Sequence, residues 1–128
     1  MFVNGSLRKP HLYMRSEKLY LVDICGAAEE IAKLIEDESE ESFLENRSTQ
    51  YAVILQFIII GEAASKMPKM IRERYSDIDW KAIVGFRNIL VHQYFSLDLG
   101  LIWLAATDHV VTLRERIRDI LDTEFADS

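Results

Sequence analysis

The sequence has 128 residues, enough for one domain with a sizeable core and too few for two. Hydrophobic residues make up 49% of it, which excludes a disordered chain, and five glycines with two prolines are too few for a fold of many β-turns. The formal charge of −6 gives no general attraction for nucleic acid, and a single cysteine, Cys25, excludes an internal disulfide.

Residues 1–14 read as a flexible N-terminal extension. They carry Arg8 and Lys9 but no long apolar run, so they do not form a signal peptide, and Met14 could serve as a start. His11 falls in this stretch and is expected to be inert. The domain is expected over residues 15–125. Its first helix is predicted over 16–36, capped by Ser16, with Leu21, Ile24, Ala28, Ile31 and Ile35 at the spacing of a buried stripe. Cys25 lies in this helix and reads as core filler, because no basic residue near it in sequence lowers its pKa.

Between residues 28 and 46 the chain carries Glu29, Glu30, Glu36, Asp37, Glu38, Glu40, Glu41 and Glu45 against Lys33. Like charges repel within a helix, so the run at 36–41 is expected to be a loop. A second helix is predicted over 49–66 and ended by Pro68. Residues 53–60 are apolar nearly all round, so this helix should be buried on more than one side, one of them a candidate subunit interface. The apolar segment 51–61 is interrupted by Gln56 and too short to span a bilayer, and a cytoplasmic protein away from the membrane is expected.

A short helix follows Pro68. Asp79 is a good N-cap for a helix over 80–92, and a last helix is predicted from about Ser96, with Asp98 in its first turn. Leu99, Ile102, Ala106, His109, Leu113, Ile117 and Ile120 form its inward stripe, which makes His109 a core histidine. The sum is all-α: an up-and-down four-helix bundle with one additional short helix. Residues 66–87 are locally basic (Lys66, Lys69, Arg72, Arg74, Lys81, Arg87) and lead into the segment that carries chemistry.

That segment contains Arg87, Asn88, His92 and Tyr94. Histidine changes charge near neutral pH and can take or give a proton. Arginine stays cationic and presents a planar fork suited to phosphate oxygens. Cleavage of RNA needs a base for the ribose 2′-hydroxyl and positive charge on the phosphorane, and these two groups supply both without a metal. At about 100° per residue, Asn88 and His92 share a face, Arg87 lines up with Tyr94, and Arg87 diverges from His92 by about 140°. Either the helix loosens near His92, or a second copy contributes its own pair across a two-fold axis, which is the preferred reading. Taken alone, an Arg-Asn pair with a His near a helix end more often means capping and hydrogen bonding than catalysis.

The set Arg87-x-x-x-x-His92-x-Tyr94, read with Asn88, resembles the signature of HepT-type toxins in the HEPN superfamily. The blocks around it are similar too: residues 60–64 with Gly61 and Glu62, residues 80–86 before the motif, and Asp98 with Trp103 after it. The resemblance extends over residues 17–121. It implies a homodimeric, metal-independent endoribonuclease with its active site in a cleft between subunits and no cofactor. Arg87 would stabilise the phosphorane, Asn88 would hold His92 or the phosphate, and His92 would be the general base or acid. It further implies a type VII toxin–antitoxin pair, in which a minimal nucleotidyltransferase antitoxin of the MntA type transfers AMP to Tyr94. Glu62 is either a supporting partner of His92 or Arg87, or a plain inter-helix ion pair. The alternative is a non-catalytic helical subunit that binds nucleotide or RNA for a nucleotidyltransferase. No Glu-x-x-His pair and no glycine-rich phosphate loop is present.

Overall fold

Every long apolar run of the sequence is helical in the computed structural model, which describes residues 9–126 and side chains from residue 17 onward. Residues 1–8 of the expected extension, and the side chain of His11, lie outside the described residues. Residues 9–14 belong to the first helix, α1 (Lys9–Leu34), which begins well before the predicted Ser16. Pro10 sits in its first turn, where a missing N–H costs nothing, and nothing between it and Ser16 breaks a helix.

The acidic run is a loop only in part. A short helix, α2 (Glu40–Glu45), starts inside it. Ser39 and Ser42 form a reciprocal capping box, and Glu40 and Glu41 lie in the first turn, where the helix dipole favours negative charge. Phe43 is fully buried, and its ring lies 5.2 Å from that of Trp103. Burying such a ring contributes roughly 1.5–3 kcal/mol, more than the repulsion of neighbouring exposed carboxylates removes. Helix α2 is thus a short helix in addition to the one expected after Pro68.

Asn46 caps α3 (Arg47–Ser65) by accepting from the Thr49 N–H at 3.2 Å, and Pro68 precedes α4 (Lys69–Arg74). Asp79 caps α5 (Trp80–His92) as predicted, accepting from the Ala82 N–H at 3.0 Å. A 3₁₀ turn (Tyr94–Ser96) leads to α6 (Leu99–Leu104). That helix starts at Leu99 rather than Ser96, because Asp98 is its cap and accepts from the Leu101 N–H at 3.2 Å. The rod continues through one π turn (Ala105–His109) into α7 (Val110–Glu124).

The π turn corrects the reading of His109. A wider turn takes up an extra residue, so the inward position after Ala106 falls on Val110. Val110 is buried, while His109 is exposed. Otherwise the stripe holds, with Ile102, Ala106, Ile117 and Ile120 almost fully enclosed.

Helix α3 is central. It packs on α1 along one side and on α5 along another, and α7 closes on α1. Leu21, Ile24, Ala28 and Ile31 of α1 meet Val53, Phe57 and Ile60 of α3 in one core, in which the Phe57 and Phe86 rings meet edge to face at 5.1 Å. The predicted stripe of α1 is thus buried, except that Ile35 falls past the helix end and is partly covered. Cys25 is buried in this core as a free thiol. The remaining side of the bundle, between α5 and the last helix, holds an apolar groove of about 720 Å³. Among the described residues there is no strand, and no helix is long and apolar enough to cross a membrane.

Candidate ribonuclease site

The site is built where α3 and α5 come closest. Gly61 follows the largely apolar stretch 53–60 of α3, and a Cβ added to it would overlap the Arg87 Cβ and stand 2.6 Å from its Cγ. A helix-interior glycine costs about 1 kcal/mol relative to alanine, so close packing is the reason for this residue here. The contact lays the root of Arg87 directly on the backbone of α3.

The guanidinium is then held from two sides. Its Nη1 donates to the Glu62 carboxylate, and its Nε donates to the Asn88 side-chain oxygen at 2.8 Å. The Arg87 side chain is 16% exposed and that of Glu62 49%. Of the alternatives for Glu62, the structure shows pairing with Arg87. Asn88 also engages Arg87, whereas the resemblance implied that it holds His92 or a phosphate. The reason is local: an adjacent side chain can reach the guanidinium Nε, and this bond fixes the plane of the fork.

Helix α5 stays regular through His92, and the Gln93 N–H closes its end on the Ile89 carbonyl at 2.9 Å. The helix does not loosen near His92. Within one chain, then, Arg87 faces α3 while His92 is exposed, with no hydrogen bond among the described residues. Tyr94 is 58% exposed, and its ring stacks on Phe95 at 4.2 Å between centroids, with 29° between planes. The four motif residues are thus near one another in sequence but split between a fixed, half-buried cation and a solvent-facing imidazole and phenol.

A family described as "Ribonuclease HepT-like" matches residues 24–120, a span that contains all of these groups. The chain belongs to the HepT-like ribonuclease family. It is 36% identical over 107 residues to "Putative RNase MJ0125" of Methanocaldococcus jannaschii, covering 84% of this chain and 92% of that one. It is 32% identical over 106 residues to "Probable ribonuclease HepT" of Thermococcus cleftensis, covering 83% and 96%. With "Putative RNase TTE0752" of Caldanaerobacter subterraneus it shares 31% identity over 111 residues, covering 87% and 99%. No solved structure matches it.

Two features of this HepT-like ribonuclease lie outside the motif. The large groove between α5 and the last helix is lined by Phe86, Ile83, Leu101 and Leu104 but not by Arg87, His92 or Tyr94, so it is not where the motif groups meet. The locally basic run is partly neutralised: Lys69 pairs with Glu73 and Arg74 with Glu124, both exposed. No group of three or more His, Cys, Asp or Glu side chains able to hold a metal ion occurs among the described residues. The packing role of Gly61 and the exposure of Phe95 are not apparent from the sequence. A lone glycine inside an apolar helix was the available signal for the first. For the second there was none, because exposure is not written in a local pattern.

Proposed function

We propose that this chain is the endoribonuclease toxin of a toxin–antitoxin pair, working without a metal as a homodimer. A nucleotidyltransferase antitoxin of the MntA type silences it by transferring AMP to Tyr94. The observation that carries this reading is the division of labour on α5, with Arg87 fixed by Gly61, Glu62 and Asn88 and His92 left free and solvated. A preorganised cation stabilises a charge that develops in the transition state, and a solvated imidazole exchanges protons with substrate and water. His92 takes the 2′-hydroxyl proton, the freed oxygen attacks phosphorus, Arg87 balances the phosphorane charge, and the 5′-oxygen leaves with the proton of a protonated His92 from a second copy of the chain. The products are a 2′,3′-cyclic phosphate and a free 5′-hydroxyl.

Two proton transfers and one histidine per motif favour a second chain. Tyr51, Leu55 and Ile59 form an exposed stripe on α3, spaced four residues apart, which runs up to Glu62. An unpaired apolar stripe ending at the site supports a two-fold contact there, which would bring two Arg87–His92 sets to one cleft. Tyr94 is accessible to a modifying enzyme. Its phenolic oxygen would attack the α-phosphorus of ATP and displace pyrophosphate, leaving an adenylate whose charge repels RNA phosphate.

The test is cleavage of RNA in EDTA by the unaltered protein and by His92→Ala. The expected result is cyclic-phosphate products from the first and none from the second, with equal melting temperatures because His92 is exposed. Equal degradation by both would mean a contaminating nuclease and return the chain to a non-catalytic role.

A further inference from the structure

Phe95 is the most exposed large apolar side chain among the described residues, at 87%. It sits three residues after His92, in the 3₁₀ turn Tyr94–Ser96, which the Ser96 N–H closes on the Gln93 carbonyl at 3.0 Å. The fold makes no use of its ring, for the chain re-enters the core at the next apolar residue, Leu97. Tyr94 nevertheless lies against the ring, stacked with 4.2 Å between centroids. A flat aromatic pair two and three residues after His92 in the chain, with most of one ring in water, is a surface for another flat ring.

The charge of the protein points the same way. A chain of formal charge −6 does not hold RNA by general attraction, and the Arg87 cation is already shared with Glu62 and Asn88. A share of the affinity for a polyanion is therefore left to contacts that are not electrostatic. Stacking of a base on an aromatic ring is such a contact, and it requires a base taken out of a duplex.

We propose that Phe95, backed by Tyr94, is the stacking platform for a nucleobase next to the scissile phosphate, so that the substrate is single-stranded RNA or a loop. This rests on the ribonuclease reading above and adds to it the strandedness of the substrate and a substrate-binding residue.

The test compares Phe95→Leu and Phe95→Trp with the unaltered protein on a single-stranded oligoribonucleotide and on the same sequence held in a duplex. Leucine keeps apolar bulk without a π-face. For Phe95→Leu the expected result is a KM raised between about fivefold and a hundredfold, the range of one lost base–aromatic stack, with kcat changed far less. Phe95→Trp keeps the KM, and an oligonucleotide carrying 2′-deoxyribose at the cleavage position quenches its fluorescence beyond the signal of Trp80 and Trp103. Duplex RNA is cut poorly by all three. An unaltered KM in Phe95→Leu overturns the platform while leaving the ribonuclease reading intact. Quenching of Phe95→Trp without cleavage by any form upholds the platform and removes the ribonuclease reading. A raised KM in Phe95→Leu that comes with a lower mass in size-exclusion chromatography marks the ring as a subunit contact and overturns the proposal.

Discussion

Gly61 and Arg87 touch so closely that no side chain can stand at position 61 while Arg87 keeps its place. The consequence is functional as well as structural, because the arginine held there is the cation of the proposed site. For Gly61→Ala two effects oppose each other: about 1 kcal/mol gained in helix propensity, and an overpacking cost of roughly 1–3 kcal/mol. The obstruction is the Arg87 Cβ, which moves only with its backbone, so overpacking wins. The variant should melt roughly 3–6 °C lower and cleave RNA more slowly, as read by thermal denaturation and a cleavage assay. A protein as stable and as active as the original would show that the α3–α5 approach is unimportant.

Replacing Arg87 by lysine separates charge from geometry. An ammonium cannot offer one fork to Glu62, Asn88 and a phosphate together. Cleavage should drop by about 10²–10³, the usual cost of a missing transition-state donor. Stability should change by less than about 1 kcal/mol, since the pair with Glu62 is half-exposed on the acid's side. Glu62→Gln, which keeps an oxygen for Arg87, should lose much less activity. If lysine restores full turnover, the guanidinium plane is irrelevant.

The junction of α2 and α3 should be sensitive to acid. Glu38 accepts from the Ser42 and Thr49 hydroxyls and from the Asn46 amide, and these bonds, that from Ser42 foremost, hold its carboxyl below the ordinary value of about 4.5. A lowered native pKa means the unfolded chain binds the proton more readily. The stabilisation is therefore complete above the ordinary value and is lost as pH falls through the native one. The difference in Tm between the unaltered protein and Glu38→Gln should be largest at neutral pH and shrink below about pH 4.5. Parallel curves down to pH 3 would contradict it.

Regulation can be read by mass. Incubation with the nucleotidyltransferase and ATP should add one or more AMP units to the intact chain and abolish cleavage. Tyr94→Phe should gain none and keep cutting, since its ring remains while the attacking oxygen is gone. Adenylylation that persists in Tyr94→Phe would move the switch to another residue.

The helices, the Asp79 cap and the order of the motif were legible in the chain because each is local: a stripe repeats every three or four residues, and a cap reaches three residues ahead. Membership of the family was legible for the same reason, since its blocks are short runs of sequence. The start of α2 is not legible locally, because the burial of Phe43 that outweighs repulsion among the carboxylates is a contact with distant Trp103. The stripe alone puts His109 in the core, but a single π turn, which no local pattern announces, gives the inward position to Val110. What only the tertiary structure decided is what depends on a second helix arriving at a particular distance. Glu62 is joined to Arg87 because α3 and α5 meet at Gly61, and Phe95 is left in water because the chain turns back into the core at Leu97.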